Sequence, residues 1–233
     1  MYDPQPGASG FAVTGSTPAN GTTGVLLGAP VIVNFNDYPD PATTAAPAVV
    51  LRSTGASPVE IAADARVDLI DKTLIVVPQA ALDATTSYEL TLTTALASLG
   101  KKQLANDVKI SFSTGQTGGG ELPPPPPRTL SGDVQPIWND ATDGCARPGC
   151  HDAATASAGL ALDANDAARD LIGAPAGEVD LDRVRPGDPA SSYLLRKLLG
   201  TPDIVGGRMP IGRVLPPAEI RLISDWILGG AQP

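Results

Sequence analysis

The sequence predicts two domains, an all-β sandwich followed by a small all-α domain, from three observations. Short segments rich in β-branched residues fill the first half. Helical segments bounded by Asp, Pro and Gly fill the second. Between them stands "GQTGGGELPPPPPRT", where a glycine run leads into five prolines, Pro123 to Pro127. Glycines make a flexible joint and consecutive prolines favour a stiff polyproline II spacer. The predicted boundaries are therefore 1–116 for the first domain, 117–129 for the linker and 130–233 for the second. Abundant Gly (25) and Pro (24) with only 4% aromatic residues argue against one large helical bundle.

The strand candidates, in order, are residues 11–15, 25–35, 48–53, 58–69, 73–79, 87–94 and 108–115. Each is apolar and β-branched, and turn residues punctuate the intervals. In "TLIVV" and "YELTL" the pattern suits strands buried on one or both faces. About seven such strands in roughly a hundred residues predict a sandwich. "STPANGTTGVLLGAPVIVNFND", "LDATTSYELTLTTALASLGKKQL" and "VKISFSTG" occur in that order, and this half resembles the bacterial Ig-like domains of S-layer and other surface proteins. It contains no Cys, so a disulfide-centred core is excluded. Asp37 and Asp40 in "NDYPDP" are carboxylates in a turn, without the oxygen-rich spacing of a calcium loop.

The first predicted helix is 133–144, with Asp133 as cap and Val134, Ile137 and Trp138 on one face. The second is 163–173, capped by Asp163 and stopped by Gly173. The third is 188–200, with Asp188 as cap, Pro189 at the first position and Gly200 as stop. The fourth is 216–230, entered at proline and ended by Gly-Gly, with Ile220, Ile223, Trp226 and Ile227 on one face. Trp138 and Trp226 are the expected contact between the first and last helices.

"CARPGCH", residues 145–151, holds both cysteines and the only histidine of the chain. Three readings are open. A Cys145–Cys150 disulfide would use the thiols and leave His151 unexplained. A zinc site lacks a fourth ligand. A covalent c-type haem uses two thiols and a histidine directly after the second, with a sixth ligand from elsewhere. Met209, the only internal methionine, lies in "VGGRMPIG", a glycine–proline setting that neither helix nor strand would fill. Proline after it favours extended backbone at Met209.

The words "VQPIW", "CARPGCH", "GLALD", "VRPGDPASSYLLRKL" and "GGRMPIGRVLPPAEIRLISDWILGGA" resemble a small cytochrome c domain of multidomain bacterial proteins. That resemblance implies one covalent haem c, with Cys145 and Cys150 as thioether cysteines, His151 as proximal ligand and Met209 as distal ligand. The usual spacing is Cys-x-x-Cys-His, whereas here four residues separate the cysteines. The two extra residues must bulge, and Pro148-Gly149 can form the bulge. Arg185, Arg208 and Arg213 are candidates for the haem propionates, and Leu160 and Leu162 for the pocket wall.

The resulting expectation is an electron carrier, not an enzyme, exported to the periplasm or cell surface. It would serve an unidentified redox partner protein, with membership of a larger surface or periplasmic assembly open. A haem-free surface protein with a Cys145–Cys150 disulfide and a peroxidase-like haem enzyme are the alternatives. The net charge of −9, without a basic face in either half, excludes a nucleic-acid partner. No run of 18 apolar residues supplies a transmembrane helix.

Overall fold

The computed structural model describes residues 10–140 and 144–233. The first nine residues of the predicted sandwich and positions 141–143 of the first predicted helix lie outside them. The chain divides into two compact units between Pro123 and Pro124.

The first unit is a two-sheet β-sandwich. In chain order its strands are β1 (Val13–Thr17), β2 (Thr22–Val25), β3 (Val31–Phe35), β4 (Val49–Ser53), β5 (Ala63–Asp68), β6 (Thr73–Pro78), β7 (Ser87–Leu92) and β8 (Val108–Thr114). One sheet runs β1-β3-β6-β5 and the other β2-β8-β7-β4. All pairings are antiparallel except β2 with β8. Period-2 alternation decides which residues face inward. Val31, Val33 and Phe35 of β3 are buried, opposite Tyr88, Leu90 and Leu92 of β7 and Ile110 and Phe112 of β8. Phe11 stacks on Phe35 with centroids 4.8 Å apart, and Tyr88 on Phe112 at 5.7 Å.

The predicted segment 25–35 is two strands, because the chain changes sheet there. Leu27 to Pro30 make the crossing, and Pro30 has no N–H to give a ladder. Segment 58–69 crosses in the same way. Ser53 N–H donates to Val59 and Ile61 N–H to Leu51 before the chain enters β5 in the opposite sheet. Asp40 is buried against Lys101 at 2.8 Å and accepts from Ala42 N–H, while Asp37 pairs with Lys102 at 3.7 Å. These carboxylates tie two turns together.

The glycines expected as a joint extend this unit instead. Leu27 and Gly28 donate to the carbonyls of Thr117 and Gly119. A Cβ at Gly120 would lie 3.0 Å from the Leu26 Cβ and 3.1 Å from that of Ala29, so close approach is what requires glycine.

The second unit contains α1 (Gln135–Trp138), α2 (Ala167–Leu171), α3 (Tyr193–Leu199) and α4 (Pro217–Leu228). Turns and irregular backbone make up the rest, with no sheet among its described residues, so "all-α" is correct only in that its regular elements are helical. The first helix starts earlier and ends sooner than predicted. A π turn at Leu130–Val134 leads into α1, capped by Thr129 and not by Asp133. The Thr129 side chain accepts from Gly132 N–H, and Asp133 accepts from Thr129 N–H at 2.8 Å. A wider turn also gives the Pro136 ring room where it would strike the carbonyl four residues back.

Asp163 and Asp188 do not cap their helices either. Asp163 carries its carboxylate back to Ala153 N–H, and Asp188 accepts from Ser191 N–H one turn before α3 begins. Gly200 ends α3 with φ +69°, the left-handed stop the sequence predicts. Ile220, Ile223, Trp226 and Ile227 are buried on one face of α4. Trp226 meets Trp138 edge-on at 6.2 Å.

In the first unit, Tyr88 hydroxyl accepts from Asp83 N–H at 2.9 Å, the tie-back of an Ig-type tyrosine corner. Tyr88→Phe keeps the ring stack and orphans that amide, at a cost of about 1–2 kcal/mol. Both tryptophans lie in the second unit, so calorimetry should show the first transition lowered by several degrees while tryptophan fluorescence unfolding stays unchanged.

Candidate functional site

Residues 144–151 are held without a helix. Ala146 N–H donates to Trp138, and Arg147–Cys150 forms a turn closed by Cys150 N–H to the Arg147 carbonyl at 3.0 Å. Pro148 and Gly149 occupy its central positions, and Gly149 has φ +82°. That is a type II turn, whose second central position requires positive φ. His151 N–H then reaches back to the Cys145 carbonyl at 3.1 Å, closing the loop that carries both thiols. Both cysteines are half-buried free thiols. Burial raises the Cys145 thiol above its ordinary pKa, opposed by the charge of Arg213, and Cys150 adds to the rise.

His151 is oriented by its ring nitrogen. Nδ1 lies 3.1 Å from the Leu160 carbonyl oxygen. A carbonyl can only accept, so Nδ1 carries the proton and Nε2 keeps its lone pair. The His151 carbonyl in turn accepts from Leu162 N–H at 2.7 Å.

Met209 is presented by a loop fastened along α3. Arg196, nearly buried, donates to Asp203 at 2.5 Å and to the Ala190 carbonyl. Lys197 Nζ donates to the Val205 carbonyl, and Val205 N–H donates to the Tyr193 hydroxyl. Arg208 Nε donates to the Leu198 carbonyl, and Met209 N–H to that of Lys197 at 3.0 Å.

These two loops meet. Cys145, Cys150, His151 and Met209 all line one cavity of about 230 Å³ in the second unit. Its walls are mainly apolar, with Trp138, Leu160, Leu162, Leu171 and Leu198 among them, so both candidate leucines are in place. Of the three candidate arginines, Arg213 lines the cavity. Arg208 is spent on Leu198, and Arg185 lies 4.0 Å from Asp188. Sequence reasoning missed Arg147, Arg183 and Lys197, which with Arg213 and the carboxylate of Glu178 are charged residues of the lining among the described residues. Only the position of Arg147 inside "CARPGC" could have signalled any of these. Among the described residues, no group of three or more His, Cys, Asp or Glu side chains is placed to hold a metal ion.

Residues 8–114 match the bacterial Ig-like domain family. The match ends before the second unit. No curated protein matches the chain. Among solved structures, the methionine-rich copper-resistance protein PcoC from Escherichia coli aligns at 16% identity and TM-score 0.38, over 46% of this chain and 99% of that one. The bacterial S-layer protein SbsC aligns at 14% and 0.36, over 46% of this chain and 14% of that one. CopC from Methylosinus trichosporium OB3b aligns at 13% and 0.35, over 45% and 93%. No described helix is long and apolar enough to cross a membrane.

Asp170 on α2 braces the His151 side of the cavity, accepting from Ala161 N–H at 2.9 Å and pairing with Arg169. Burial raises its carboxyl, but the Ala161 hydrogen bond and the Arg169 and Arg183 charges outweigh it and leave the pKa lowered. A carboxyl lowered in the folded state stabilises above its unfolded value near ~3.9 and loses that stabilisation as pH falls through the folded value. Tryptophan fluorescence should show unit-two stability dropping below about pH 4, and Asp170→Asn should flatten that drop while lowering stability at neutral pH.

Proposed function

We propose that the second unit binds one covalent haem c, with Cys145 and Cys150 as its thioether cysteines and His151 and Met209 as its axial ligands. The chain is then an exported electron-transfer protein. The observation that carries this reading is the convergence of two thiols, an imidazole and a thioether, from two separate loops, on one apolar cavity. The donor set suits the group. The thiols are free, Nε2 of His151 is left with its lone pair, and a soft thioether comes from an independent loop. Basic side chains in a mainly apolar lining suit a ligand that is apolar in its body and anionic at its edge. At about 230 Å³ the cavity is smaller than the ~300–1,000 Å³ usual for ligand pockets. Its rim is exposed loop, at Arg147, Gly149, Ala158 and Ile211.

When bound, such a haem supplies one-electron chemistry by exchange between ferrous and ferric iron. The chain's own contribution is orientation and exclusion of water. Leu160 fixes the imidazole, α3 holds the methionine loop, and the leucine walls keep solvent out. With His151 and Met209 both holding the haem iron, a substrate would find no open position on it, which favours a carrier over an enzyme. Export is supported by the bacterial Ig-like domain in the first half and by the extracytoplasmic setting of covalent haem attachment. The partner is a redox protein, met at a periplasmic or cell-surface location.

Denaturing mass spectrometry of the full chain, produced with a haem-attachment system, should find one haem retained. A mass two hydrogens below that of the haem-free dithiol would instead reveal a Cys145–Cys150 disulfide and overturn the reading. Met209→Ala should keep the haem, lose the near-infrared sulfur–iron band of the oxidised protein and admit cyanide. An unchanged spectrum and unchanged cyanide binding would remove Met209 from the ligand set.

A further inference from the structure

The acceptor for His151 lies in a strained turn. Ala156 and Ala158 both have positive φ, +41° and +56°, followed by Gly159 at +65°. Left-handed backbone is uncommon for residues other than Gly, Asn and Asp, and it persists where surrounding groups over-determine it. Here one side chain and one carboxylate do so. Arg183 donates through Nη2 to the Ala158 carbonyl at 2.9 Å and through Nη1 to the Asp170 carbonyl at 2.8 Å. The Asp170 carboxylate accepts from Ala161 N–H. Leu160 is thus pinned on both sides, two residues after one anchor and one residue before the other.

We propose that Arg183 is a positioning residue for His151: it holds the strained 156–160 turn so that the Leu160 carbonyl fixes the imidazole as its Nδ1–H tautomer. The fork of the guanidinium is what the task requires, since two carbonyls on different segments must be held at once. An ammonium on a flexible stem offers no fixed pair of directions. What Nε2 then binds rests on the haem reading; the tautomer itself does not.

His151 is the only histidine, so a long-range proton–nitrogen NMR spectrum of the full chain reads a single imidazole. The measurement is made above neutral pH on the haem-free chain. Wild type should show a protonated Nδ1 and a bare Nε2. Arg183→Gln should erode that preference by about three- to tenfold, the range of one net hydrogen bond. Arg183→Lys should fail to restore it while keeping the charge. Unchanged tryptophan fluorescence shows that the fold survives; should the Gln variant unfold, the Lys variant decides. A wild-type Nε2–H tautomer overturns the proposal, as do folded variants with the wild-type spectrum. A chain that retains no haem but shows the Arg183-dependent tautomer overturns the haem reading alone.

Discussion

Loops that wall a cavity expose backbone polar groups that neither a helix nor a sheet satisfies, and an unpaired buried amide or carbonyl costs about as much as a lost hydrogen bond. The second unit meets this constraint with backbone bonds within and between its loops and with long side chains from two helices and their flanks. Lys197 and Tyr193 on α3 satisfy the carbonyl and amide of Val205 in the methionine loop, and Arg196 holds the Asp203 carboxylate of the same loop. Asp170 on α2 and Arg183 beyond it do the same for the turn facing His151. Each helix is short, so its stability depends on the loops it holds as much as the reverse.

The first unit obeys the opposite rule, and this explains what was legible where. Strand ladders satisfy their own backbone, so burial alone patterns the sequence, and the alternation at "VIVNF" and "SYELTL" identifies β3 and β7 directly. What misled was the sheet change at Leu27–Pro30, where a single apolar run belongs to two different sheets. In the second unit α4 was legible for the same reason, because Ile220, Ile223, Trp226 and Ile227 form a buried stripe. The caps at Asp133, Asp163 and Asp188 were misassigned because an aspartate before an apolar run accepts equally well from a turn or a distant loop. Those carboxylates are used, but elsewhere.

Of the candidate site, the residues with rare chemistry were legible and the residues that aim them were not. Two cysteines, one histidine and one internal methionine stand out in any count. Arg183 does not, because a guanidinium bonded to two carbonyls leaves no periodicity and no charge partner in the sequence. Its neighbour Arg185 looked as good and lies against Asp188 instead.

The spacing of the cysteines follows from the same economy of backbone bonds. With two residues between them, thiols would share one face of a helical turn; with four, a helix would separate them. The chain leaves the helix at Trp138 and places Pro148 and Gly149 where φ near −65° and a positive φ are needed. His151 N–H then bonds to Cys145, at one end of the bulge, and its ring bonds to Leu160, outside it. The four residues between the thiols are therefore accommodated within the bulge, and the imidazole takes its orientation from a part of the chain that the bulge does not touch. A longer or shorter bulge would alter the path from Cys145 to Cys150 and leave the Arg183–Leu160–His151 support unchanged.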